Sequence, residues 1–244
     1  MPTAQAVSTS IVISQVYGGG GNAGSTYTND FIELHNVSGS AVSVAGWSVQ
    51  YASATGTTWA VTNLTGSIPA GGYYLVQEAV GAGGTTPLPT PDATGTIAMS
   101  ATAGKVALSN LTTALTGACP SGAAIIDLVG YGATANCFEG TGPTPAPSNT
   151  TSVVRAGSGC TDTDQNATDF AVSAVPPIAR NSAVAAFTCG GGGTPTLNIN
   201  DVALAEGNAG TTTFTFTVSL TAPAGPSGVT FNIATADGTA TVAD

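Results

Sequence analysis

Charge is what this sequence has least of. Charged side chains make up 7 per cent of its 244 residues, against roughly 25 per cent in ordinary soluble chains, so Thr, Ser, Asn and Gly must cover the surface. There are three basic residues, Lys105, Arg155 and Arg180, against 13 acidic ones, for a net charge of −10. A surface of that sign repels phosphate backbones and anionic lipid heads, which excludes nucleic-acid binding through a basic patch. The single histidine, His35, excludes two-histidine metal sites and most acid–base relays. No apolar run is long enough to cross a membrane as a helix. Gly-x-Ser-x-Gly and His-Glu-x-x-His are both missing. Glu33, Glu78, Asp127 and Glu139 are scattered, with nothing to pair them as a glycosidase requires. These absences argue against an enzyme.

What is present is β-strand. In Asp30–Tyr51, Ile32 and Leu34 share one face and Phe31, Glu33 and His35 the other. Val42 and Val44 resume the alternation, and Trp47, Val49 and Tyr51 line the next strand with Trp47 as its core anchor. On this pattern His35 is a solvated or edge residue, and Asp127 is at least as readily outward as buried. Ile11–Tyr17 reads as the first strand. Others are expected at Thr57–Val61, Tyr73–Glu78, Gly95–Met99, Lys105–Leu108, Ile125–Tyr131 and Ser152–Arg155. Gly18–Gly21 reads as a flexible turn. Short strands at this spacing predict an all-β sandwich.

Four cysteines, Cys119, Cys137, Cys160 and Cys189, lack zinc-finger spacing and read as two disulfides, most simply Cys119–Cys137 and Cys160–Cys189. Each would contribute roughly 3 kcal/mol through loop-closure entropy, and both imply an oxidising compartment. Ala4-Gln5-Ala6 has the small-x-small form of a signal-peptidase site. Residues 1–9 are therefore expected to be an export-signal remnant or a disordered start. A sandwich over residues 10–188 follows, then a Gly-rich linker at 189–195. Residues 196–244 hold about four alternating segments, too few to close a second sandwich, so this module reads as a fragment or as an edge awaiting a partner.

Two further patterns invite chemistry. Asp162, Asp164, Asn166 and Asp169 place oxygen ligands at spacings that suit a calcium loop. The same residue types build turns through side-chain-to-backbone bonds, and that reading stands beside the first. Trp59, Tyr73, Tyr74 and Phe138 are candidates for a carbohydrate-stacking strip, although most aromatics in a sandwich belong to the core.

The segments IVISQVYGGGGN (Ile11–Asn22), NDFIELHN (Asn29–Asn36), VAGWSVQY (Val44–Tyr51) and DTDQNATDF (Asp162–Phe170), with Arg180-Asn181-Ser182, resemble the lamin-tail domain family in its secreted bacterial form. The resemblance implies an immunoglobulin-like β-sandwich without an established catalytic centre, used as an accessory module of exported proteins. From Thr196, Ile199–Val202, Ala205–Asn208 and Ala234–Ala240 resemble the opening of a Calx-beta module. Some members of that family bind calcium, which would make Glu206 and Asp237 ligands here. The expectation is a non-catalytic structural or interaction module of a secreted or cell-surface protein, calcium-stabilised if the acidic residues converge. Its partners would be other domains of a longer chain, or extracellular proteins and glycans. The alternative is the N-terminal accessory region of an extracellular nuclease or phosphatase.

Overall fold

The computed structural model describes residues 8–189, 197–205, 210–220 and 231–232. Twelve strands fall in a first unit, residues 1–189: β1 (Ile11–Tyr17), β2 (Asn29–Asn36), β3 (Val42–Ser43), β4 (Ser48–Ser53), β5 (Ala60–Asn63), β6 (Ser67–Ile68), β7 (Tyr73–Val80), β8 (Ala93–Thr94), β9 (Gly104–Ser109), β10 (Ile125–Tyr131), β11 (Val153–Arg155) and β12 (Phe170–Val172). The second unit, residues 190–244, contributes the antiparallel pair β13 (Leu197–Ile199) and β14 (Val218–Leu220).

One sheet runs β12-β11-β1-β2-β7-β8 and faces another, β10-β9-β4-β5. All pairings are antiparallel except the short β7–β8 contact. Side-chain alternation makes the sandwich. Ile11 and Ile13 of β1, Ile32 and Leu34 of β2, and Tyr74 and Val76 of β7 meet Val49, Val106, Leu108 and Val129 from the opposite sheet. Burial of such side chains at about 25 cal/mol per Å² is the main force holding the layers together. A bulge at Ser14 interrupts the β1–β2 ladder, so Val16 keeps facing inward past it.

Both sheets are also covered on their outer faces. Trp59, Ala107, Ile125, Leu128 and Cys137 form a second apolar cluster. Tyr17, Phe31, Leu75, Leu88 and Ala179 form a third. β2 is consequently buried along nearly its whole length. His35 is therefore inside rather than solvated, because residues 173–189 lie as an irregular strap across the outer face of its sheet.

Three other expectations are corrected. Gly95–Met99 runs beside β7 but forms no strand, since the Glu78 and Asp30 carboxylates accept the Ile97 and Met99 N–H groups where a ladder would. Gly18–Gly21 is a buried, closely packed crossing rather than a loose turn: a Cβ on Gly20 would sit 1.9 Å from the Asn29 carbonyl carbon. Trp47 only packs against the edge of the core, while Trp59 is 3 per cent exposed.

Candidate functional site

With so few charges in the chain, the place where they gather stands out. Arg155 ends β11, immediately before a tight turn in which Gly157 and Ser158 have φ of 63° and 61°. Its guanidinium is fully buried. Nη2 donates to Asp127 at 2.7 Å and Nη1 to Asp162 at 2.8 Å, with Asp169 at 3.6 Å. Nε donates to the Ile13 carbonyl at 3.0 Å, and the guanidinium carbon lies 4.5 Å from the Phe170 ring centroid. Asp127 stands on β10, in the other sheet, and also accepts the Ile13 N–H at 2.6 Å. One guanidinium thus joins the two layers of the sandwich.

The surrounding carboxylates divide by environment. Burial pushes Asp127 up to about 6, while Arg155 pulls it back toward its ordinary value. Burial first, and then the Asp127 charge, push Glu139 up to about 9, so this carboxyl is neutral at pH 7. Its Oε1 lies 3.2 Å from the Leu128 N–H donor, and Asn166 Nδ2 donates to Oε2 at 3.2 Å. Asn166 further bonds the backbone of Gly130, Glu139 and Leu128. Burial works against the Arg155 charge, but the Asp127, Asp162, Glu139 and Asp169 carboxyls outweigh it and hold the guanidinium above its ordinary value.

Each residue of the expected acidic loop has a defined place. Asp162 bonds Arg155 and the Ser8 N–H, and Asp169 accepts from Thr163 and Gln165. Asn166 is buried in the network above. Asp164 sits at positive φ (53°), where burial, then Asp162 and Asp169, raise its carboxyl. Asp169 thus bonds the local turn, Asn166 ties the segment to β10 and Glu139, and Asp162 is spent on the guanidinium. Glu206 and Asp237 lie outside the described residues.

A second constellation fixes the strap. Arg180 lies in it and grips Glu33 on β2, with Nη2 to Oε1 at 2.7 Å and its backbone N–H to Oε2 at 2.8 Å. Ser14 Oγ adds a bond to the same carboxylate at 2.6 Å. Burial raises Glu33, and Arg180 opposes that shift. The guanidinium lies over Tyr73, 3.9 Å from the ring centroid, and Tyr73 stacks on His35 at 4.5 Å. His35 Nε2 donates to the carbonyls of Phe187 (2.9 Å) and Gly71 (3.1 Å), and burial lowers its pKa. Asn181 and Ser182 bond Thr90 and Asp92.

Both disulfides form in the expected pairs. Cys160–Cys189 ties the strap's end beside His35, and Cys119–Cys137 lies near Lys105. The Lys105 ammonium donates to the carbonyls of Gly56 and Ala118 and to Asn136 Oδ1. All three basic residues are therefore internal ties, a role that sequence reading did not assign them. The available signal was their rarity: three bases among 13 acids leave each one outnumbered wherever it folds. The expected aromatic strip is not a surface, because Trp59, Tyr73 and Tyr74 are all buried and only Phe138 is half-buried.

No curated protein matches the chain. Among solved structures it is similar to a DUF4876 family protein from Bacteroides thetaiotaomicron, at 11 per cent identity and a TM-score of 0.45, over 70 per cent of this chain and 72 per cent of that one. Residues 4–133 match the family described as Lamin Tail Domain. That span covers more than half of the sequence and takes in β1 to β10, leaving only β11 and β12 of the two facing sheets outside it, so the chain belongs to the lamin tail domain family.

Proposed function

We propose that the chain is a non-catalytic structural and interaction module of an exported, cell-surface or secreted protein. The commitment of its charged groups carries this reading. Arg155, Arg180 and Lys105 each hold buried acceptors together, and the carboxylates nearest them are occupied by guanidinium, backbone or hydroxyl donors. A general base or nucleophile needs a lone pair facing substrate; here those lone pairs serve the fold. Two disulfides suit an oxidising exterior, and among the described residues no helix is long and apolar enough to cross a membrane. Other domains of a longer chain, or extracellular proteins and glycans, are the partners this role calls for. The test is turnover: purified protein incubated with DNA or a phosphomonoester and Mg²⁺ or Ca²⁺ is expected to match the blank. Activity that disappears in Asp127→Asn or Glu33→Gln would overturn the proposal.

A second reading adds calcium as a stabiliser. Arg155 is the one cation among Asp127, Asp162 and Asp169, with Asp164 alongside, so negative charge remains in surplus even with Glu139 neutral. Asp164 is the residue of this group least engaged by donors. Calcium at millimolar concentration is expected to raise the melting temperature, and Asp164→Asn to remove the response. No heat of binding and no shift would end this reading. For the second unit, the antiparallel β13–β14 pair is compatible with the opening hairpin of a Calx-beta module.

A further inference from the structure

We propose that in the reduced chain Cys160, Cys189 and His35 form a binding site for a soft divalent cation, zinc above all, which the Cys160–Cys189 disulfide replaces on oxidation. The two Sγ atoms and a ring nitrogen of His35 all lie within 4.8 Å of one another. His35 Nδ1 is 3.7 Å from Cys189 Sγ. Around a tetrahedral Zn²⁺, with Zn–S about 2.3 Å and Zn–N about 2.0 Å, neighbouring ligand atoms stand roughly 3.5–3.8 Å apart. The histidine–cysteine edge already has that length. Once the S–S bond is broken, the two sulfurs must separate and Cys160 Sγ, which starts within 4.8 Å of the ring nitrogen, must settle at the same edge length.

The imidazole is prepared for this role in a way that a disulfide alone does not require. Two carbonyls, of Phe187 and Gly71, face Nε2, and the Gly159 backbone also bonds the ring; with the proton on Nε2, Nδ1 is the nitrogen on the Cys189 side that would bind the ion. A ring N–H held by a backbone carbonyl is the outer-shell arrangement that fixes metal-ligating histidines. Tyr73 stacks on the ring and holds its plane. Three protein ligands leave the fourth position to water. Two thiolates and one neutral imidazole bring two negative charges to the ion, so the bound site is neutral and tolerates burial.

The chemistry balances with a dithiol reductant. It gives two electrons and two protons to the Cys160–Cys189 bond and becomes a disulfide itself, leaving two thiols on the protein. Zinc binding then releases both thiol protons. In reverse, an acceptor disulfide takes two electrons from the two thiolates and picks up two protons to become a dithiol. The protein's S–S bond forms and Zn²⁺ departs. The metal would hold the end of the strap against β2 in the newly made chain, before it reaches an oxidising compartment.

The test uses the full chain carrying Cys119→Ser/Cys137→Ser, so that Cys160 and Cys189 are the only thiols, reduced anaerobically with a phosphine. Added Co²⁺ is expected to give the thiolate charge-transfer and tetrahedral ligand-field bands at one ion per chain, displaced by one Zn²⁺. The oxidised protein should give neither. Cys160→Ser should abolish the bands, and His35→Gln should weaken binding at least tenfold. Where the reduced chain loses its β-sheet circular dichroism, zinc should restore it. Reduced protein that binds no more cobalt than oxidised protein, equal affinity in His35→Gln, or an unfolded reduced chain that zinc does not restore would each overturn the proposal.

Discussion

Arg155 on β11 and Asp127 on β10 are bonded across the two sheets at 2.7 Å, with the guanidinium fully buried and the carboxylate nearly so. An isolated charge at either position would face a low-dielectric interior without compensation. Replacing Arg155 by Met is therefore expected to cost about 3–5 kcal/mol. Arg155→Met combined with Asp127→Leu should recover part of that loss, since Asp162 and the Ile13 N–H still lose their partners. Urea denaturation of both single variants and the double variant measures the coupling, and simple additivity would count against the pair as a unit.

The strap should be separable from the sandwich. Arg180→Gln leaves Glu33 buried without its guanidinium, and the same logic predicts a loss of about 3 kcal/mol or more. The damage is expected to be local, because the strap packs on an outer face rather than between the sheets. Digestion with an elastase-like protease should cut the Ala/Val-rich residues 173–188 first, well before the sheets are lost. Simultaneous loss of all bands would show strap and sandwich to be one cooperative unit.

The pH dependence follows from carboxyls buried in neutral form. Burial raises Glu139 from 4.5 to about 9, Glu78 from 4.5 to about 7 and Asp30 from 3.8 to about 7. Each folded-state value lies above its unfolded one, so the unfolded state holds fewer of these protons between the two. The contribution is full below about pH 4 and is lost as pH rises through 7 for Glu78 and Asp30, and through 9 for Glu139. Thermal unfolding should show a lower melting temperature at pH 8.5 than at pH 5. Glu139→Gln should flatten the alkaline part of that slope, and an unchanged slope would speak against a neutral Glu139.

The two crosslinks close loops of 18 and 29 residues by sequence separation. Loop-closure entropy gives each about 3 kcal/mol. Their removal should have different local consequences. Cys160→Ser/Cys189→Ser is expected to raise hydrogen exchange in residues 173–189. Cys119→Ser/Cys137→Ser should instead raise it around Lys105 and Trp59, on the opposite sheet.

Where alternation was regular, the fold could be read directly: Ile11–Tyr17 and Ile125–Tyr131 are strands over the expected residues. The reading failed where a second layer covered a face that alternation assigned to water. Glu33 and His35 sit on such a face, buried by chain distant in sequence, whereas Asp127, which alternation left open between outward and buried, shares the inward face of β10 with Val129 and meets the other sheet. β12 was missed because its three residues carry little pattern of their own and depend on pairing with β11. The charged clusters were hidden for a similar reason. Arg155 and Asp127 are 28 residues apart, and Arg180 and Glu33 are 147 apart, so only tertiary folding makes them neighbours.

A chain whose every Lys and Arg is a structural tie offers trypsin-like enzymes almost nothing to hold. Such proteases need a basic side chain that can leave the fold and enter a deep pocket. Lys105 and Arg155 are fully buried, and the Arg180 side chain is 16 per cent exposed while clamped to Glu33. The same three residues that hold the sandwich together thus also withhold its cleavage sites. Cutting at any of them would then report that the fold had already opened.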